Sequence, residues 1–224
     1  MKMTMTMMIN VEHIMMTVQL LLHNQSPAHD FQHALRVYKN AEMISRQEEG
    51  ELIELDIVLA AALLHDLIVY PKGTIKTINS ADDSAEIAKK ILLEYKNYPI
   101  DKIENVADII RTHSYSKKLS PRSLEGKILQ DADRLDAIGA IGLARTFSVG
   151  GSESRCIYNP IDPFWESERQ LDNTQWTLDH VRSKLMVLKN SMHTKTAKKI
   201  AEGRTEFMEL FVNQLRSEIL FQTL

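Results

Sequence analysis

Three short stretches place ionisable side chains where apolar ones are expected. In "LAAALLHDLIVY", residues 59–70, His65 and Asp66 interrupt a run that is otherwise almost wholly apolar. In "SPAHDFQHALRV", His29 and His33 stand four apart on one helix face, Asp30 lies three before His33, and Arg36 continues the row. In "KILQDADRLDAIGAIGLA", Asp131, Asp133 and Asp136 lie among Ile, Leu, Ala and Gly, with Lys127 and Arg134 as the cations nearest in sequence. A carboxylate buried without a partner is strongly disfavoured or becomes neutral. Asp66 therefore calls for an internal cation, either an arginine or a metal. Imidazole and carboxylate donors brought from separate helices suit a transition-metal site. The competing reading is a helical scaffold whose acids pair with Arg36 and Arg134. Spacing puts Asp133 and Asp136 on one face and Asp131 about two residues round, and leaves open which of them meets the histidines.

The elements that must position these residues read as helices. Glycine and proline are scarce and cluster between periodic segments. Residues 11–24 predict a first amphipathic helix. Ser26 as N-cap and Pro27 at the first helical position predict the start of a second, which Gly50 ends. From Ile57 to Tyr70 the chain is apolar all round, which predicts a central, surrounded helix ended by Pro71 and Gly73. "SADDSAEIAKKILLEYKNY" predicts a helix capped by Ser80 or Asp82, and "IDKIENVADIIRTHS" a shorter one. A run from Ser120-Pro121 to Gly150-Gly151 follows, with Gly139 and Gly142 spaced to let another helix approach. Residues 150–173 are the one long irregular stretch, expected to be a lid, a binding loop or disorder. Helices near 174–192 and 194–220 close the chain. The fold class is all-α, a single domain of about eight helices over residues 1–224, with its metal-binding core at about 20–150.

Bulk properties exclude several classes. Lys and Arg number 27 against 30 Asp and Glu, a net charge of -3, so nothing points to a nucleic acid polymer. A lone cysteine, Cys156, excludes an intrachain disulfide and any multi-cysteine metal site. No apolar run approaches the ~20 residues of a spanning helix, and "MKMTMTMMIN" lacks the features of a signal peptide. A cytoplasmic protein without a membrane partner is expected.

The order His33, His65-Asp66, Asp133 resembles the H…HD…D ligand signature of the HD-domain metal-dependent phosphohydrolases, an all-helical superfamily. The segments "HDFQHALRV", "AALLHDLI" and "QDADRLDAIGAIGLARTFSVGG" carry the likeness, and with "RCIYNP" they resemble its YpgQ/YedJ-like branch of small single-domain proteins. The resemblance implies His33, His65, Asp66 and Asp133 as metal ligands. It favours Asp133 because the superfamily ligand stands in an Ala-Asp-Arg/Lys-Leu setting. It leaves His29-Asp30 as a decoy beside the site. It implies a divalent ion (Mn, Fe, Co, Ni, Zn or Mg) that activates water and orients phosphate.

On this basis Asp66, His113 and Asp136 are the expected catalytic residues, with His113 donating to a leaving group. Arg36, Lys72, Lys76, Arg145 and Arg155 are expected to bind phosphate. The implied activity is hydrolysis of a small phosphorylated substrate, a nucleotide, with a triphosphate cut to monophosphate and pyrophosphate. The alternatives are a phosphomonoesterase on nucleoside monophosphates and a non-catalytic metal or nucleotide sensor. Leu67 to Tyr70 replace the acidic pair that follows the HD in relatives acting on the stringent-response nucleotide, which argues against that substrate. A homodimer is compatible with the sequence.

Overall fold

The computed structural model describes residues 5–26, 28–48, 52–70, 74–95, 97–114, 117 and 119–221, with side chains at 11 and beyond except 75. Pro27, Gly50, Pro71, Lys72 and Gly73 lie outside the described residues. The described residues form nine α-helices and no strand, in agreement with the expected all-α class. They pack as two compact units, Met1–Asp133 and Arg134–Leu224.

The first unit holds α1 (Met5–Leu21), α2 (Phe31–Gln47), α3 (Leu55–Leu64), α4 (Ser80–Glu94), α5 (Ile100–His113) and most of α6 (Leu124–Asp136). Nine of the ten residues of α3 are buried, as its all-round apolar sequence predicts. It packs against α1, α2, α4 and α5. The helix stops at Leu64, earlier than expected, and His65 and Asp66 occupy the turn that follows. Ser84 on α4 fixes that exit, since its hydroxyl accepts from the Ile68 amide at 3.0 Å and donates to the Ile68 carbonyl at 3.3 Å. The Tyr70 amide donates to the Ser80 hydroxyl, so Ser80 ties down this tail and does not cap α4.

The start of α2 also differs from expectation. Asp30, not Ser26, is the N-cap, and its carboxylate accepts from the His33 amide at 2.9 Å. An acid at this position satisfies an otherwise orphaned amide and complements the helix dipole.

The second unit contains the end of α6, α7 (Gly139–Ser152), α8 (Thr177–Ser183), a 3-10 segment Leu185–Ser191 and α9 (Lys195–Ile219). The expected continuous run through Gly150 is broken at Ala137-Ile138, and Gly139 restarts the chain at φ 77°, a conformation side chains disfavour. A Cβ on Gly142 would stand 2.2 Å from the Ala137 carbonyl oxygen. This glycine therefore makes room for its own chain's break, not for another helix. Gly203, in mid-α9, has nothing within 4 Å of an added Cβ. Gly142→Ala is expected to lower stability by about 1–3 kcal/mol, and Gly203→Ala to raise it by about 0.5–1 kcal/mol. Urea titration of the two variants checks both signs.

The irregular stretch runs over 153–176, not 150–173, because α7 continues to Ser152, and it is organised around two acids, Asp162 within it and Asp179 on α8. Asp162 accepts from the amides of Glu166 and Ser167. Asp179, fully buried, accepts from both guanidinium nitrogens of Arg169 at 2.6 Å, from the Trp165 indole at 3.0 Å and from the Asp172 amide at 2.8 Å. Trp165 holds φ 59°, which its hydrogen bond helps to stabilise.

Candidate metal centre

Three elements of the first unit bring the anomalous residues together. The Asp30 cap places His33 in the first turn of α2. The end of α3 delivers His65 and Asp66, and α6 delivers Asp133. Asn40, two turns past His33, donates to the Ala132 carbonyl at 3.1 Å and so ties α2 to α6 beside Asp133. Gln130, almost fully buried, donates to the carbonyls of Thr112 and Leu119 and anchors the end of α5, where His113 lies.

The donor atoms converge. His33 Nε2 and His65 Nε2 stand 3.2 Å apart. Asp66 Oδ2 lies 3.6 Å from the first and 3.7 Å from the second. Asp133 Oδ1 lies 3.7 Å and 3.9 Å from the same two nitrogens. Ligands held ~2.1 Å from one ion stand ~3.0–3.4 Å apart at neighbouring positions. A small contraction would close this set on a single cation.

Protonation suits that fit. His65 Nδ1 is 2.9 Å from the Ala62 carbonyl, which can only accept, so Nδ1 carries the proton and Nε2 offers its lone pair to the cluster. Complete burial pushes the His65 imidazole down to about 4, with nearby His113 and His33 adding to the effect and Asp66 and Asp133 opposing it. It is therefore neutral at ordinary pH, as a ligand must be. Burial alone would raise Asp66, but the His65 charge and hydrogen bonds from His113 and His29 outweigh it and hold the carboxyl well below the usual range. His113 feels burial downward and its hydrogen bond and charge attraction to Asp66 upward, and the net direction is up. Its Nδ1 donates to the Ile110 carbonyl at 2.6 Å, and its Nε2 lies 3.4 Å from Asp66 Oδ1.

His29, expected to be a decoy, contacts the cluster directly. Its Nδ1 is 2.8 Å from Asp66 Oδ2, and the donors His29, His33 and Asp66 form a group of their own. Two further groups are His33, His65, Asp133 and His65, Asp66, His113. The signal that could have found His29 was its position one residue before the cap.

The other expected site residues are placed as follows. Arg36 is half-buried on α2, one turn beyond His33. Lys76 is exposed, 5.9 Å from the Tyr70 ring centroid. Asp131 is fully buried. In the second unit, Asp136 and Arg145 pair with each other at 2.6 Å, and Arg155 pairs with Glu153.

Known proteins bear on this arrangement. The HD domain family matches residues 30–138, a span that takes in His33, His65, Asp66 and Asp133. YpgQ of Bacillus subtilis (strain 168) is 35% identical over 214 residues, 93% of each chain. The structure is similar to that of Bacillus subtilis YpgQ in complex with ADP, with TM-score 0.71, 32% identity and coverage of 96% of this chain and 97% of that one. It is equally similar to an HD-superfamily hydrolase from Bacillus thuringiensis, with TM-score 0.71, 33% identity and coverage of 95% and 97%. HD domains bind divalent metals, and the converging imidazoles and carboxylates here form a cluster that can hold one. By sequence, by fold and by this donor cluster, the chain belongs to the HD domain family, among the metal-dependent hydrolases of its superfamily.

Proposed function

We propose that the protein is a phosphohydrolase that cleaves nucleoside triphosphates to monophosphate and pyrophosphate, with His33, His65, Asp66 and Asp133 holding one divalent ion. The observation that carries this reading is that Asp66 and Asp133 each stand 3.6–3.9 Å from the His33 and His65 nitrogens, which are 3.2 Å apart, within the HD-matched segment. The ADP complex of the similar YpgQ supports a nucleotide as the substrate class.

The bound ion supplies polarisation of a phosphoryl oxygen and a water of lowered pKa. The remaining steps belong to the chain. Water gives up a proton to the solvent and adds as hydroxide to the α-phosphorus, the bond from that phosphorus to the bridging oxygen breaks, and pyrophosphate leaves. Asp66, ionised well below neutral pH, orients the site through both oxygens. His113, whose pKa is raised and whose Nε2 faces Asp66 Oδ1, holds a proton for the leaving oxygen. Two carboxylates cancel most of the ion's charge, so the phosphates need further cations. Arg36 and Lys76 serve this role in the first unit, together with Lys72, which lies outside the described residues.

The purified full chain, loaded in turn with Mn, Co, Ni, Zn and Mg, is to be offered a panel of nucleoside tri-, di- and monophosphates. Monophosphate and pyrophosphate in equal amounts are the expected products. Orthophosphate released from monophosphates would instead indicate a phosphomonoesterase. Nucleotide binding without turnover in any metal would indicate a sensor.

A further inference from the structure

Asp66 is the crowded residue of the cluster, and its two oxygens have different neighbours. Oδ2 faces His33 and His65 at 3.6 and 3.7 Å, whereas Oδ1 faces His113 at 3.4 Å. It stands in the turn after α3, beyond the helical hydrogen-bond ladder that fixes the residues before it. Its side chain is 18% exposed. The shortest contact to Oδ2 is His29 Nδ1, at 2.8 Å, from a residue 37 positions earlier in the chain.

An ionised carboxylate only accepts hydrogen bonds, so the proton of this contact belongs to His29 Nδ1. A protonated nitrogen has no lone pair for a cation. His29 therefore differs from His33 and His65, whose Nε2 atoms face each other across the cluster. Its immediate neighbour Asp30 is fixed as the α2 cap by the His33 amide, so the backbone that presents His29 is itself anchored.

We propose that His29 is a positioning residue for the metal centre. Its Nδ1 proton holds the Asp66 carboxylate in the rotamer that turns Oδ2 toward His33 and His65. The inference rests on the metal-centre reading above, but it assigns no step of hydrolysis to His29.

The test measures metal affinity of the full chain by competition with a chelator, so it does not depend on turnover. His29→Ala is expected to weaken Mn or Zn affinity by ~10–100-fold, the usual effect of removing a partner that orients a ligand. His29→Asn keeps an N–H donor near the position of Nδ1 and is expected to recover most of that loss. Pulsed EPR of the Mn-loaded protein should report the same coordinated nitrogens, from His33 and His65, in wild type and His29→Ala. Thermal unfolding in chelator shows that each variant is folded. Unchanged affinity in His29→Ala, or no recovery in His29→Asn, overturns the inference and leaves the metal centre intact. Loss of a coordinated nitrogen in His29→Ala also overturns it, because His29 would then be a ligand. A wild type that takes up no divalent ion overturns both the inference and the reading it rests on.

Discussion

Replacing Asp66 with alanine is expected to abolish metal retention and to lower nucleotide turnover by ~10³-fold or more, the scale on which losing part of a catalytic unit acts. Asp66 is where the cluster joins. Its carboxylate lies within 2.8–3.7 Å of imidazole nitrogens from His29, His33, His65 and His113. Without it, Asp133 is the one carboxylate left near His33 and His65 in their donor group. Two neutral imidazoles and one carboxylate hold a divalent ion against water less well than a set with two carboxylates does. Elemental analysis reads the first effect and kcat/KM the second. A stoichiometric metal with turnover within tenfold of wild type would sink the assignment. Stability provides an independent readout. A ligand at ~1,000 times its Kd stabilises the folded state by ~4 kcal/mol, which for a chain of this size is a Tm shift of roughly 8–16 °C. Chelator should remove that shift in the wild type and have no effect on Asp66→Ala.

Asp179→Ala is expected to destabilise the second unit by about 2–4 kcal/mol, because it removes a fully buried charged acceptor shared by a half-buried guanidinium, an indole and an amide. The Asp179 carboxylate is fully buried and gathers Arg169, the Trp165 indole and the Asp172 amide at 2.6–3.0 Å. Trp165 also keeps a left-handed backbone there. Losing the acceptor releases all three contacts, so residues 153–176 should become sensitive to limited proteolysis before global unfolding. The Asp179→Leu, Arg169→Leu double variant removes both charges and should lose less than the two single changes summed. Equal protease resistance in wild type and Asp179→Ala would show that the loop is held by something else. The sequence left this stretch open as lid, binding loop or disorder. The structure makes it an ordered loop whose buried acid Asp179 takes a partner as far as fourteen residues back, at Trp165.

The helical class and the buried character of α3 were legible because each keeps a local period, and His65 and Asp66 stood out because they break one, whereas the choice of His33 and Asp133 came from the resemblance to the HD signature. Burial is readable when apolar residues surround the position on every side, and a charge inside such a run demands a partner. The ends of elements were less legible. Asp30 and Ser26 are both good caps by type, and the competition was decided by which one reached an orphaned amide, that of His33. The long run through α6 and α7 carried an unbroken helical period. Gly139 breaks it because one positive φ suffices to reverse the chain, and a glycine looks the same in either conformation. Among the three acids of α6, spacing alone could not choose. Tertiary packing selects Asp133 for the histidines, buries Asp131 and pairs Asp136 with Arg145.

His29 marks the boundary most clearly. The sequence places one His-Asp pair inside a helix opening at Ser26 and a second inside the apolar run from Ile57 to Tyr70, and the structure sets both just outside their helices. Only the folded chain decided that the first pair divides its work, with Asp30 capping α2 while His29 reaches Asp66. The reason is physical. A cap is a contact across three residues and is fixed by local geometry, whereas the His29–Asp66 contact spans 37 residues and exists only once α2 and α3 have packed together.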